Sequence, residues 1–291
     1  TAIYRHTIIG TVFHALVRIT NTEKNMGEFT LPDSAKSSHG ALLSWARENG
    51  VVELDVRFTD IRGIVQHFSM PLVSVEESAF EEGFGFDGSS VRGFQSIDQS
   101  DLILLADLST AVLDPFFKKK TLVVTCDVYD PIERHPYARD PRGVAKRAEA
   151  YLKTTGIADA SFWGPEAEFF IFSNVRYKVT ENISYYEVDS HEGFWNTASA
   201  EPHHAYLNRI KEGYFPLPPM DKTQDVRADM AETLVNAGIQ VEVHHHEVGG
   251  GGQAEIDMKY GPLLRMADNL LLYKYIVKNV AMQHGLLATF M

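Results

Sequence analysis

The segment from Val243 to Glu255 constrains the fold more than any other part of the chain. Three histidines, Glu247 and Val248 precede a run of four glycines, and Gln253-Ala254-Glu255 follows it. Sequence that favours strands on both sides of a glycine run predicts an antiparallel hairpin, here over Ile239–Met258.

The two glutamates of this hairpin can share one face only in certain registers. For Glu247 and Glu255 to lie on the same face, the residue numbers of each cross-strand pair must add up to an even number, as when 247 pairs with 253. We therefore predict a loop with an odd number of residues, or a bulge, within Gly249–Gly252, which glycine tolerates readily.

A second acidic pair, Glu166 and Glu168, stands in the apolar stretch Phe162–Phe172. Two glutamates on a strand are most often a solvated face. Here, however, a strand so rich in phenylalanine is expected to be buried, and alternation would put both carboxylates on one face. Four carboxylates without cysteine indicate a hard ion, Mg²⁺ or Mn²⁺.

The three consecutive histidines cannot all bind one ion, because adjacent strand residues point to opposite faces. Parity groups His245 with Glu247, and it places His244 and His246 on the other face with Glu242. We expect most of these histidines to be held by hydrogen bonds or to contact a phosphate, which leaves room for one direct ligand.

Composition excludes several classes of protein. The net charge of -12 over 291 residues argues against a general electrostatic attraction to nucleic acid or anionic membrane. The single cysteine, Cys126, excludes an internal disulfide and a cysteine-rich zinc site, and it fits a reducing compartment such as the cytoplasm.

Strands dominate up to about residue 133, and helices then alternate with strands. The expected fold class is α+β, with a small sheet domain followed by a mixed domain of strands and helices. Residues 1–37 stay unassigned as a leader or extension.

The first half contains predictions of one helix and four strands: a helix at Gly40–Glu48, a half-buried strand at Val51–Phe58, and strands at Ile64–Met70, Asp101–Asp107 and Thr121–Tyr129. Three helices are predicted in the second half: one capped by Asp140 that ends near Thr155, one opened by a capping box at Asp221–Gln224 and stopped by Gly238, and a last one from Pro262 to about His284.

Two further segments have plain interpretations from spacing alone. The Gly83–Ser90 segment is an Asp-Gly turn, and it lacks the Gly-Lys-Ser/Thr ending of a P-loop. The proline-rich Gly213–Pro219 segment is an extended structural connection.

Taken together, several of these blocks resemble type I glutamine synthetase, in that family's order and spacing from about residue 38 to the last residue. The blocks are Phe86-Asp87-Gly88-Ser89-Ser90, Gly164–Phe170, Gly213–Pro219, His244–Glu255 and the run from Tyr273 to Ala281. The resemblance implies a β-grasp domain at 38–135, followed at 136–291 by a catalytic domain with a curved antiparallel sheet, incomplete at its C-terminus. It implies ATP-dependent ligation of ammonia to L-glutamate through a γ-glutamyl phosphate, with two or three Mg²⁺ or Mn²⁺ ions, in a cytoplasmic dodecamer of two hexameric rings.

The resemblance also assigns roles, position by position. Glu168, Glu247 and Glu255 match the ligands of one metal, and Glu166 matches a ligand of the second. Catalytic roles fall on Asp87, Ser90, Tyr214 and Glu247, which surround the ammonium ion, with Asp87 supplied to a neighbouring subunit's site. Glu242 and Tyr260 match residues that contact the nucleotide.

Other groups of the family's site have no counterpart up to residue 291. They include a histidine and a glutamate of the second metal site, the substrate arginines and the flap glutamate. We therefore expect a C-terminally truncated chain that is inactive by itself. Two alternatives are a γ-glutamyl–amine ligase that uses a polyamine, and a non-catalytic relic that assembles with full-length subunits.

Overall fold

A computed structural model of the chain describes residues 27–195 and 206–290. Most of the expected leader, residues 1–26, lies outside the described residues. Residues 27–37 pack onto both halves of the structure: the Phe29 amide donates to the Asn236 carbonyl at 2.9 Å, and the Leu113 amide donates to the Phe29 carbonyl at 2.8 Å.

The first half is a five-stranded sheet covered by a helix, as expected for a β-grasp domain. The strand order is β2-β1-β5-β4-β3, and all neighbours are antiparallel except β1 and β5, which run parallel. Leu42 of the covering helix packs with Leu54, Leu104 and Leu122 in one core cluster. The elements are α1 at His39–Glu48, β1 at Glu53–Thr59, β2 at Val65–Pro71, α2 at Ser78–Glu82, β3 at Phe84–Asp87, β4 at Asp101–Leu113 and β5 at Thr121–Tyr129.

The second half packs helices against a four-stranded sheet with the order β10-β11-β7-β13. Its core joins Met230 and Leu234 to Ile256, Ile276 and Phe169. The elements are α3 at Pro141–Thr154, β6 at Phe162–Trp163, β7 at Phe169–Phe172, β8 at Asn174–Val179, β9 at Ser184–Asp189, α4 at Gln224–Asn236, β10 at Val241–His246, β11 at Gln253–Met258, β12 at Gly261–Pro262, α5 at Leu263–Gln283 and β13 at Leu287–Thr289.

The prediction that Val51–Phe58 is half-buried is wrong, because both faces of β1 are covered. Asp55 is fully buried and Arg57 nearly so. Arg57 donates to Asp55 at 2.6 Å and to Asp114, and the Tyr275 hydroxyl of α5 donates to Asp114 at 2.9 Å. A buried ionic network therefore replaces the solvated face that alternation suggested.

The prediction of one strand over Phe162–Phe172 is also wrong. The stretch divides into β6, which pairs with β12, and β7, which pairs with β11 and β13. Pro165 lies in the break, and a proline cannot donate a ladder hydrogen bond. Glu166 and Glu168 consequently lie outside any strand, and both are exposed rather than buried.

Two smaller predictions are corrected as well. Thr223 is the N-cap of α4 but makes no capping hydrogen bond through its side chain. Asp221 accepts instead from Arg227 Nη2 at 2.6 Å, in a buried ion pair. The Gly213–Pro219 segment turns rather than running extended, with Phe215 in the left-handed region at φ 61°.

No helix in the described ranges has both the length and the apolar character needed to cross a bilayer.

Candidate active site

The predicted hairpin forms with the register that the shared face requires. His245 pairs with Glu255, and His246 pairs with Ala254. The Glu247 amide donates to the Gln253 carbonyl at 2.8 Å, so five residues, 248–252, form the loop. The prediction of an odd loop is confirmed.

Neighbouring backbone and side-chain atoms leave little room for a Cβ at the glycines of this loop. Gly252 has φ 92°, and a Cβ there would lie 2.6 Å from the Ile171 carbonyl oxygen. At Gly251 a Cβ would lie 2.6 Å from the Trp195 ring. The loop is therefore fixed against β7 and against the segment that follows β9.

His245, Glu247 and Glu255 gather on one face of the hairpin. Each offers one ligand atom, and these atoms all lie within 4.8 Å of one another. The Nδ1 atom of His245 lies 3.4 Å from Glu247 Oε1, and its Nε2 lies 3.7 Å from Glu255 Oε2. Both glutamates are buried.

The electrostatics of this cluster favour a bound cation. Burial raises the pKa of Glu255 to about 7, and the nearby carboxylates of Asp257, Glu247, Glu168 and Glu166 contribute to the rise. Buried like charges of this kind are stabilised when a cation binds among them. Two carboxylates and an imidazole fit a divalent ion that prefers oxygen ligands.

Glu168 lies beside this cluster without being part of it. Its carboxylate accepts a hydrogen bond from Gln253 Nε2, and Gln253 Oε1 accepts from the Gly249 amide at 2.7 Å. Gln253 therefore ties Glu168 to the base of the glycine loop. Glu166 makes no hydrogen bond or ion pair with the described residues.

The other two histidines face away from the cluster, as parity predicted. His246 Nε2 lies 2.8 Å from Glu192 Oε2, and its Nδ1 lies 2.7 Å from the Gly213 carbonyl oxygen. Burial lowers the pKa of His246, but the contact with Glu192 outweighs it and the net shift is upward. His244 is half-buried, and its Nδ1 has no hydrogen-bond partner.

Glu192 is the residue that sequence reasoning missed. Its side chain is fully buried, and it also accepts a hydrogen bond from the Lys222 amide. It lies far from His246 in sequence and in no recognisable motif, so no pattern could have paired the two.

Tyr214 lies next to the candidate metal cluster. Its ring stacks on Phe215 at 3.9 Å between centroids, and it meets His245 edge-on at 5.6 Å. The carbonyl of the preceding Gly213 binds His246. The segment therefore brings an exposed phenol to the face that carries Glu247.

The two residues expected near a nucleotide lie outside the cluster. Glu242 is exposed at the start of β10, at the opposite end of that strand from Glu247. Tyr260 is exposed and meets the Phe162 ring edge-on at 5.9 Å.

Asp87 ends β3 and forms a closed turn with the two serines that follow. Its Oδ1 accepts from the Ser89 amide at 2.8 Å and the Ser89 hydroxyl at 2.6 Å, and its Oδ2 accepts from the Ser90 hydroxyl at 2.6 Å. Hydrogen bonds from Ser89 and Ser90 hold the pKa of Asp87 below its usual range.

Two family models match the chain. The one described as "Glutamine synthetase, beta-Grasp domain" matches residues 50–131, and "Glutamine synthetase, catalytic domain" matches residues 138–291. A glutamine synthetase of Streptomyces filamentosus is 51% identical over 247 residues, which cover 85% of this chain and 52% of that protein. A glutamine synthetase of Frankia alni is 50% identical, with 86% and 53% covered.

A solved glutamine synthetase structure has the same fold as the matching part of this chain. The cryo-EM structure of Plasmodium falciparum glutamine synthetase superposes with a TM-score of 0.81 at 29% identity, over 88% of this chain and 50% of that one. The chain thus spans about half the length of the relatives that it matches.

Proposed function

The chain belongs to the glutamine synthetase family, and on that premise we propose that it takes part in the ATP-dependent ligation of ammonia to L-glutamate. The γ-carboxylate of glutamate is phosphorylated, and ammonia then displaces the phosphate to give L-glutamine. The observation that carries this proposal is the gathering of His245, Glu247 and Glu255 on one face of the hairpin.

The proposed metal ligands are acids of the hairpin and of the segment before β7, with one histidine. Glu247 and Glu255 would hold one Mg²⁺ or Mn²⁺ ion, with Glu168 next to them, and Glu166 would serve a second ion. His245 is added as a direct ligand, because its ring nitrogens lie within 4 Å of both buried carboxylates. When bound, such ions neutralise phosphate charge and align the transferring group.

The remaining proposed roles concern binding and proton transfer by the chain itself. Asp87 would attract ammonium and then accept its proton, which frees the nucleophilic lone pair. The lowered pKa of Asp87 supports the attraction of ammonium, because the carboxylate stays ionised near neutrality. Ser90 would orient Asp87, Tyr214 and Glu247 would complete the ammonium pocket, and Glu242 and Tyr260 would contact ATP.

The proposed assembly gives Asp87 its site. The β-grasp domain at 38–135 would supply it to the catalytic domain, 136–291, of a neighbouring subunit. The hydrogen bonds that Asp87 makes with described residues lie within its own turn, which is compatible with this role. The proposed assembly is the double-ring dodecamer.

The test is an ATP- and ammonia-dependent assay for glutamine, made on the 291-residue chain and on a version extended to the full length of the relatives. We expect turnover from the extended protein and background from the 291-residue chain. Glu247→Gln in the extended protein should lower turnover by about 10²-fold or more, and Glu232→Gln, on the exposed side of α4, should leave it unchanged. Equal turnover from the parent and Glu247→Gln would overturn the assignment, as would equal turnover from the short and extended chains.

A further inference from the structure

A cavity of about 230 Å³ lies between the β-grasp sheet and α5, away from the candidate metal cluster. One wall comes from the face of the sheet that carries Arg57 and Val123, and the opposite wall from one side of α5. The proposed reaction uses none of the groups that line it.

The α5 wall gives the cavity its length. Arg265, Asp268, Leu272 and Tyr275 all line it, and their spacing of three or four residues puts them on one side of the helix. From Arg265 to Tyr275 the helix rises about 15 Å. The cavity is therefore elongated, with two chemically different ends.

One end carries two cations without an ion pair in the described ranges, the half-buried Lys36 and the exposed Arg265. Lys36 donates only to the Ser109 carbonyl, at 3.4 Å, and Arg265 forms no ion pair in the described ranges. Burial and the nearby Arg265 lower the pKa of Lys36, and Asp33 offsets them only in part. An anion between these two cations would relieve their repulsion.

The other charged groups of the cavity are already paired. Arg57 is held by Asp55 and Asp114, and Asp268 is held by Arg142. Among the described residues that line the cavity, the cations without an ion pair are therefore Lys36 and Arg265, at one end.

Away from these two cations the lining mixes apolar side chains with neutral polar ones. The apolar side chains include Ala111, Val112 and Leu272, and the polar ones include Thr125 and Asn269. At the far end Tyr275 and Phe117 lie over the Arg57 guanidinium, whose carbon is 4.6 Å and 5.7 Å from their ring centroids. A ligand with charge at both ends would find no unpaired partner there.

We propose that this cavity binds a small organic anion whose carboxylate lies between Lys36 and Arg265 and whose apolar body runs along Leu272 toward Tyr275. Such a ligand would contact the β-grasp sheet and α5 together, and so stabilise their association. The proposal does not depend on the ligase activity.

The test is isothermal titration of the 291-residue chain with hexanoate, with its neutral isostere hexanamide, and with inorganic phosphate. Hexanoate should bind saturably with one site per chain. Hexanamide should bind at least about tenfold more weakly, because it lacks the charge-assisted hydrogen bonds, and phosphate should also bind more weakly, because it lacks the apolar body.

A double variant locates the site. Lys36→Gln with Arg265→Gln should weaken hexanoate binding at least about tenfold. The matched control is Lys178→Gln with Arg209→Gln, which removes the same charge from exposed positions that make no ion pair in the described ranges, and it should bind like the parent. Absence of saturable hexanoate binding would overturn the proposal. So would equal binding of hexanamide or phosphate, or equal binding by the Lys36/Arg265 variant. The hexanamide comparison uses the unaltered chain, so it holds even where the double variant fails to fold.

Discussion

His245 lies directly across the hairpin from Glu255, and its Nε2 is 3.7 Å from that carboxylate. The same ring approaches Glu247 with its other nitrogen. One imidazole is therefore placed between two buried glutamates that approach each other only because the glycine loop has an odd number of residues.

The first prediction concerns metal affinity. Glu255→Gln should weaken Mn²⁺ binding to the 291-residue chain by about tenfold or more, because the amide removes one negative ligand from the cluster. Titration calorimetry measures this, and Glu232→Gln serves as an exposed control. Unchanged Mn²⁺ affinity in Glu255→Gln would place the ion elsewhere.

The second prediction concerns the buried contact behind the cluster. Glu192→Ala leaves His246 buried without its carboxylate partner, and we expect the free energy of unfolding to fall by about 3–5 kcal/mol. Glu187→Ala removes an exposed partner of Arg176 and should cost at most about 1 kcal/mol. Urea unfolding of both variants provides the measurement, and similar losses would show that Glu192 contributes no more than a surface charge.

The third prediction concerns the loop. Gly252→Ala should destabilise the chain more than Gly50→Ala, although both glycines have positive φ. An alanine at 50 meets no atom within 4 Å, so it should cost only about 1–2 kcal/mol for the backbone conformation. At 252 the added Cβ would also meet the Ile171 carbonyl oxygen. Equal losses of unfolding free energy in the two variants would mean that the loop shifts away from the Ile171 carbonyl at no cost in free energy.

The fourth prediction concerns acid stability. Burial raises the pKa of Asp107, but hydrogen bonds from Ser109 and Arg142 outweigh it and the net shift is downward. A carboxyl group with a lowered pKa stabilises the fold above its unfolded pKa, about 3.9, and this contribution is lost as pH falls below that value.

Asp107→Asn should therefore lose less unfolding free energy than the parent between pH 5 and pH 3. Asp225→Asn, at an exposed position without an ion pair in the described ranges, should follow the parent curve. The measurement is urea unfolding at the two pH values. Parallel curves for the parent and Asp107→Asn would contradict the prediction.

Much of the fold could be predicted because its signals are local. Asp140 followed by Pro141 marks the start of α3, and the requirement that Glu247 and Glu255 share one face predicts the register of the hairpin. Glycine runs and caps act within a few residues, so they can be read from the sequence directly.

The predictions that the structure corrects concern residues whose partners are distant in sequence. The Phe162–Phe172 stretch divides because β6 joins β12 while β7 joins β11 and β13, and alternation within one segment cannot show this. Gly164-Pro165 was the available signal of a break. The buried ionic network of Arg57 depends on Asp114, which also accepts from Tyr275 of α5, and hydrophobic periodicity does not detect such distant partners.

The most direct test of the central claim is anomalous diffraction from crystals of the 291-residue chain soaked in Mn²⁺. The account predicts a manganese peak bounded by the carboxylates of Glu247 and Glu255, with a nitrogen of His245 within bonding distance. Manganese bound only at other sites, with both glutamates free of metal, would contradict the proposal that this hairpin is the metal centre.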